Sequence, residues 1–336
     1  MSTTNSPSPS SGPGASDSDQ VDRPASLPNS TPIPGAKKYK PIGDFNIVQK
    51  LGRGGMGSVY LAVKISTGEQ VALKILLPEL VNDPEMYERF KREARATQRF
   101  SHPHIVSAVD FGNVEKYHYI AMQYVDGPDL EKLLASDGLF GEEKILRVAF
   151  EMALALEEIE KQGIVHRDMK PSNIMVTSAG VYRLTDLGLS SAGAGDQRVT
   201  MAGSAIGTPF YISPEQAKGD MEVDIRADIY GLGATLYHLA TGSVPFPGIN
   251  DVMIMTAHLK TPLTPPETVE PSVSPCVSAL IQRMMEKDPA QRPQTAAELK
   301  HMIEQCQRGE LPTIVTKETE APAKAKGFFG RLFSKA

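Results

Sequence analysis

Four short strings in this chain carry residue types able to move a phosphoryl group, and they occur in an order that such chemistry can use. The most informative is His166-Arg-Asp-Met-Lys-Pro-Ser-Asn173, followed after two apolar runs by Asp186-Leu-Gly188. Asp168 offers a carboxylate on a loop, able to take the proton of a hydroxyl nucleophile. Asn173 and Asp186 offer an amide oxygen and a carboxylate, the hard ligands that Mg²⁺ prefers alongside phosphate oxygens. Lys170 supplies a cation for a transferring γ-phosphoryl group. Upstream, Leu51-Gly-Arg-Gly-Gly-Met-Gly-Ser-Val59 sets Gly52, Gly54 and Gly57 in G-x-G-x-x-G spacing, with Arg53, Gly55, Met56 and Ser58 at the remaining loop positions. Glycines there let backbone amides approach phosphate oxygens with no β-carbon between them. Val71-Ala-Leu-Lys74 then puts a lysine on a strand beneath the loop, in reach of α- and β-phosphates, and Glu93 is the candidate carboxylate to hold it. Phosphoryl transfer is mainly positioning and charge neutralisation, so this small set suffices.

Each string is weak in isolation. A dinucleotide-binding turn uses the same glycine spacing, but it opens a helix and is followed by an acid about twenty residues on. Here the strand-like Ser58-Val-Tyr-Leu-Ala-Val-Lys-Ile65 follows, and Lys74 stands where the acid is sought. Lys74 alone would read as a solvated strand lysine and Glu93 as a surface helix residue. The ordered set of four strings removes that reading.

The elements that must position these groups change character once. From Phe45 to about Val125 the pattern is of strands: FNIVQKL, SVYLAVKI, QVALKIL and YHYIAMQYV alternate or run apolar, separated by turn signals such as Thr67-Gly68. The exception is 84–100, where Asp83 can cap a helix, Pro84 suits its first turn, and charges lie three or four apart. Beyond Asp129 the chain reads mainly as helix. The segment 142–162 is amphipathic, with Gly163 as its stop, and further helices fit 224–241, 250–259, 275–286 and 295–306. The fold class expected is α+β and bilobal: a small β-rich lobe with one helix (45–125), a larger helical lobe (126–308), and residues 123–127 between them. Residues 1–40, rich in Ser and Pro, hold too few apolar side chains to offset the entropy of ordering and read as a disordered tail. Residues 309–336 read as a flexible tail, including the short apolar and basic Phe328-Phe-Gly-Arg-Leu-Phe-Ser-Lys335.

Composition narrows the function classes. The chain has 336 residues, 40% of them hydrophobic, and a net charge of −5, which gives no support to nucleic-acid binding. The start MSTTNSPSPSSGPG is not a secretory signal, and no run reaches the roughly 18 apolar residues of a membrane span. Cys276 and Cys306 are the two cysteines, neither in a C-x-x-C pattern, so neither a disulfide framework nor a thiolate zinc site is expected and a reducing, cytoplasmic setting fits.

Over about residues 45–305 the chain resembles the eukaryotic-like (Hanks-type) serine/threonine protein kinases, especially their bacterial branch. The resemblance extends to Gly207-Thr-Pro-Phe-Tyr-Ile-Ser-Pro-Glu215, which looks like the end of an activation segment. Asp228-Ile-Tyr-Gly-Leu-Gly233 looks like the helix that anchors the catalytic loop, and Asp288-Pro-Ala-Gln-Arg-Pro293 carries an arginine, Arg292, that in the family pairs with the acid at Glu215. It implies ATP and Mg²⁺ as cofactors. Leu51, Val59, Ala72 and Met175 would sandwich the adenine, Met122 would close the back of the pocket, and backbone groups of Gln123 and Val125 would bond the adenine edge. Lys170 and Thr208 imply Ser/Thr rather than Tyr acceptors, hence protein substrates bearing Ser or Thr. Arg167 implies control by phosphate on the segment 186–215, with Thr200 and Ser204 the expected sites of autophosphorylation. Relatives that activate as dimers make a homodimer a further expectation, and a soluble enzyme with no built-in external sensor is expected. The chain departs from the family at Leu187, where phenylalanine is usual, at Ser213 in place of alanine, and at Met169 in place of leucine. None of these removes a charged group.

Overall fold

The computed structural model describes residues 39–187 and 209–313. Five antiparallel strands form the small lobe: β1 (Phe45–Arg53), β2 (Gly57–Lys64), β3 (Gln70–Leu76), β4 (Ala108–Val114) and β5 (Tyr117–Gln123), in the order β1-β2-β3-β5-β4. The period of two in β3 sorts its side chains. Val71, Leu73 and Ile75 pack with Phe45, Ile47, Ala62, Tyr119 and Ala121 on one face. Ala72 and Lys74 are left on the other face, where Ala72 packs with Leu76, Ile120, Met122 and, from α1 (Pro84–Thr97), Phe90 and Ala94. This helix starts where Asp83 accepts the Glu85 and Met86 amides at 3.0 and 3.2 Å, with Pro84 in the first turn. Its buried stripe includes Glu93, so the sheet and the helix bring Lys74 and Glu93 face to face.

The helical lobe holds α2 (Leu130–Asp137), α3 (Glu142–Lys161), α4 (Pro214–Lys218), α5 (Ile225–Thr241), α6 (Asp251–Lys260), α7 (Pro266–Val269), α8 (Pro275–Met284) and α9 (Ala296–Gln307), with a two-stranded ribbon of β6 (Ile174–Val176) and β7 (Tyr182–Leu184). In α5 every residue except Arg226 and His238 is buried, as befits a helix apolar all round. It runs through the core, against α3 on one side and α8 on another. Side-chain caps at Asp129, Ser213, Asp224, Asn250, Ser274 and Thr295 set the starts of α2, α4, α5, α6, α8 and α9.

The connecting strand after β5 is tied to the helical lobe. Asp126 accepts the Ser178 amide at 3.0 Å and also its hydroxyl, and Val176 N donates to Pro128 O at 2.9 Å. A β-carbon on Gly127 would sit 1.9 Å from Val176 O, so only glycine allows this approach.

Two sequence expectations need correction. No disulfide was expected, yet the structure joins Cys276 of α8 to Cys306 of α9, Cα atoms 5.6 Å apart. The start of one helix packs beside the end of the other, a proximity that 30 residues of separation conceal. The helix expected over 275–286 ends at Met284, where the chain turns toward Asp288. Among the described residues no helix is long and apolar enough to cross a membrane.

Candidate active site

The loop after α3 is held from beneath. Asp228 in α5 accepts the His166 amide at 2.7 Å and the Arg167 amide at 2.6 Å. Burial pushes the Asp228 carboxyl up, against the pull of His166 and these two amides. Arg167 is thereby kept in the left-handed region, φ 67°, which costs a non-glycine residue about 1–2 kcal/mol. His166 reaches Thr185 O through Nε2 at 3.0 Å, and Thr235 of α5 donates to Met169 O at 3.1 Å. The chain thus emerges at Asp168 on a fixed heading.

Asp168 is half-exposed, and one of its oxygens is spoken for. Oδ2 receives Lys170 Nζ at 2.7 Å and Asn173 Nδ2 at 2.9 Å, and the same amide nitrogen donates to Asp168 O at 2.8 Å. Oδ1 is left as the acceptor for an incoming proton. With the Asn173 nitrogen engaged, its Oδ1 is the atom it can offer a cation. Asp186 has φ 47°, a second strained non-glycine residue. Leu187 next to it is buried in the core of the helical lobe, so the leucine keeps the apolar anchor expected of this position.

Lys74 joins the two lobes electrostatically. Its Nζ is 2.5 Å from Glu93 Oε1 and 3.5 Å from Asp186 Oδ1. Burial disfavours the ammonium, but Glu93 and then Asp186 outweigh it and hold its pKa above the ordinary lysine range. Lys74 in turn pulls the Asp186 carboxyl down. Burial pushes the Glu93 carboxyl up, and Lys74 pulls against it. One amide oxygen and one carboxylate suit Mg²⁺ when phosphate oxygens complete the shell. Among the described residues no group of three His, Cys, Asp or Glu forms a cage that would hold a metal without them.

The nucleotide-side residues divide into two sets. Ala72, Met122, Val125, Met175 and Met56 belong to one apolar cluster under the sheet. Ala72 and Met122 are directly paired across β3 and β5. Leu51 is 42% exposed and Val59 half-buried. Gln123 N is spent on Ser107 O at 2.9 Å, so its carbonyl is the group able to meet a ligand edge, and the Val125 amide has no hydrogen bond among the described residues. The glycines are not equivalent. A β-carbon at Gly52 would meet nothing within 4 Å, and one at Gly54 only Gly57 O at 4.0 Å, so both face open space; Arg53 and Gly55 beside them are exposed, and Ser58 is half-buried in β2. At Gly57 it would lie 2.3 Å from Ile75 O, so this glycine serves the packing of β2 on β3.

Some groups escaped the sequence reading. Gln216 of α4 donates to Arg167 O at 2.9 Å, and Arg183 donates to the Gln123 side chain at 3.2 Å. The only available signal was the Ser213 to Gln216 capping-box spacing, which marks α4. Arg292, fully buried, forms the expected pair with Glu215 through two bonds of 2.7 and 2.9 Å. Thr208, Thr200, Ser204 and Gly188 lie outside the described residues.

A five-stranded lobe bearing a lysine–glutamate pair, joined to a helical lobe bearing an aspartate–lysine–asparagine loop, defines a bilobal kinase fold. The chain belongs to the protein kinase domain family, whose model matches residues 45–303. It is 37% identical over 276 residues to a probable serine/threonine-protein kinase of Clostridium perfringens, covering 82% of this chain and 40% of that protein. To the serine/threonine-protein kinase PknB of Mycobacterium leprae it is 36% identical over 275 residues, covering 81% and 44%. The chain therefore spans less than half the length of these curated relatives. Among solved structures it resembles the Mycobacterium tuberculosis PknI kinase domain, with TM-score 0.62 and 28% identity over 80% of this chain and 98% of that one. It also resembles Rad53 in complex with AMP-PNP, with TM-score 0.64 and 25% identity over 77% and 64%.

Proposed function

We propose that the chain is a serine/threonine protein kinase, transferring the γ-phosphoryl group of ATP to Ser or Thr hydroxyls of proteins. The observation that carries this reading is the Asp168 carboxylate, with Oδ2 pinned by Lys170 and Asn173 and Oδ1 left to accept. Oδ1 takes the proton of the acceptor hydroxyl while its oxygen forms the new bond to phosphorus and the bond from phosphorus to the β–γ bridging oxygen breaks, releasing ADP. Lys170 neutralises charge on the transferring group, and the family resemblance gives Thr208 a part in choosing a Ser or Thr acceptor. Lys74, held charged by Glu93, pairs with the α- and β-phosphates. The Mg²⁺ held by Asn173 and Asp186 would supply neutralisation of phosphate charge. The loop Gly52 to Val59 covers the phosphates. Leu51, Ala72, Met122 and Met175 enclose the adenine, whose edge meets the Gln123 carbonyl and the Val125 amide. The AMP-PNP complex of the Rad53 relative supports an adenine nucleotide in such a cleft.

Arg167 answers a phosphate placed by autophosphorylation at Thr200 or Ser204, one copy of the chain acting on another. A supply of ATP, such as the cytoplasm holds, is what this chemistry needs, and that supply rather than the cysteines supports a cytoplasmic setting. The test is transfer from radiolabelled ATP with Mg²⁺ to a generic basic protein by wild type and Asp168→Asn. Label on phosphoserine or phosphothreonine from wild type only is expected, with a loss of at least ~10²-fold in the variant. Equal labelling by both proteins, or none by wild type while nucleotide binding persists, overturns the reading.

A further inference from the structure

Residues 209–213 lead into α4 beside the catalytic loop. Tyr211 O and Met169 converge on Gly231 of α5, where a β-carbon would lie 3.3 Å from the former and 3.0 Å from the Met169 β-carbon. The backbone of 209–213 thus flanks the neighbour of Asp168 with no side chain from α5 between them. His258 of α6 reaches this loop from behind. It is fully buried, with Nε2 3.1 Å from Phe210 O and Nδ1 2.9 Å from the Tyr230 hydroxyl of α5. A carbonyl can only accept, so Nε2 carries the proton and Nδ1 accepts the Tyr230 O–H. Lys287 Nζ stands 3.5 Å from the same hydroxyl and 3.4 Å from Ala257 O. The donors run in one direction, from Lys287 through Tyr230 and His258 to Phe210 O, and each polarises the next. The Phe246 ring packs edge-on against the imidazole at 4.8 Å, with Lys287 Nζ 4.0 Å from the Phe246 centroid. Burial, then Lys287, pushes His258 down to about 3, so the ring stays neutral and keeps these roles at any working pH.

We infer that His258 is a positioning residue for the protein acceptor: through Nε2–H it fixes the Phe210 carbonyl, and with it the path of 209–213 on which the Ser/Thr-bearing segment is laid. This rests on the kinase reading, with the nucleotide side left untouched because Lys287, Tyr230, His258 and Phe210 are not among the residues assigned to ATP. Glutamine can place an N–H where Nε2 stands, whereas asparagine reaches only the Nδ1 position. Steady-state kinetics with a synthetic acceptor peptide therefore separate His258→Gln from His258→Asn. His258→Asn should raise KM for the peptide roughly tenfold, as loss of one buried hydrogen bond implies, with KM for ATP within about twofold of wild type. His258→Gln should recover most of the peptide KM. Equal peptide KM in all three proteins, or parallel rises in both KM values, overturns the inference. Amide hydrogen exchange gives a readout independent of transfer, so failure of the kinase reading is distinguishable from failure of this one. Faster exchange across 209–213 in His258→Asn, restored in His258→Gln, is expected, and unchanged exchange in His258→Asn overturns it.

Discussion

Arginine at position 292 is the place where a single substitution should harm the fold most visibly. Its guanidinium is fully buried, forms two bonds to Glu215 at 2.7 and 2.9 Å, and donates to Glu286 O at 2.8 Å, Arg226 O at 2.9 Å and Lys287 O at 3.2 Å. It also lies 4.8 Å from the centre of the Tyr230 ring. Arg292→Ala strips the partner from a buried carboxylate, and breaking such a pair costs about 3–5 kcal/mol. In a domain of this size each kcal/mol moves Tm by about 2–4 °C, so a loss of ~4 kcal/mol predicts a fall of ~8–16 °C. Differential scanning calorimetry of wild type, Arg292→Ala, Arg292→Met, Glu215→Met and the Arg292→Met/Glu215→Met double variant is the assay. The cost comes chiefly from the orphaned charge, so the double variant should be more stable than Arg292→Met alone. A fall of less than ~3 °C in Arg292→Ala, or strict additivity in the double variant, would refute the reasoning.

Glu93→Gln keeps the shape around Lys74 but removes a charge-assisted bond worth about 1.5–3 kcal/mol, so transfer should fall ~10- to 100-fold in a radiolabelled ATP assay. Gly57→Ala should destabilise the small lobe by ~1–3 kcal/mol through its clash with Ile75 O, while Gly52→Ala, which meets nothing within 4 Å, should leave Tm nearly unchanged. The pH dependence of stability should carry the mark of His258, which falls from 6.5 to about 3 in the folded chain. Below pH 6.5 the unfolded chain binds a proton there that the folded chain refuses until about pH 3, so stability is lost as pH falls through that window. Between pH 7 and pH 5 wild type should lose ~2 kcal/mol more than His258→Gln in urea unfolding, and an unchanged difference would count against a buried neutral imidazole.

Much of the site was legible because its residues sit on strongly patterned elements. The period-two pattern of β3 and the capped, charge-paired α1 bring Lys74 to Glu93, and neither depends on distant context. The helix start at Asp83 was readable as a cap, and the starts expected at 250 and 295 fall on the caps Asn250 and Thr295, while ends drifted by up to three residues, as at Thr97 instead of Phe100. What was hidden is tertiary. Strand β4, Ala-Val-Asp-Phe-Gly-Asn-Val, lacks alternation and is a strand because β5 pairs with it. Gly57 reads as a phosphate-loop glycine, yet its need for a bare α-carbon comes from Ile75, eighteen residues away in sequence. His258 shows no motif at all, because Tyr230 and Phe210 meet it from other elements. The contact between Cys276 and Cys306 was hidden for the same reason.

Tied at Asp126, Gly127 and Pro128 to Val176 and Ser178, the connecting segment is bonded to the helical lobe as soon as it leaves the sheet. The fulcrum for any rocking of the sheet then lies upstream, at Gln123 to Val125. On the proposed reading the adenine would lie at that fulcrum, between Leu51, Ala72 and Met122 of the upper body and Met175 of the lower one, while its phosphates lie under the glycine loop. The nucleotide would then be a strut joining the two bodies, and its length would gauge how far they close. A ligand that fills the adenine pocket but stops short of the glycine loop would leave the upper body free to swing.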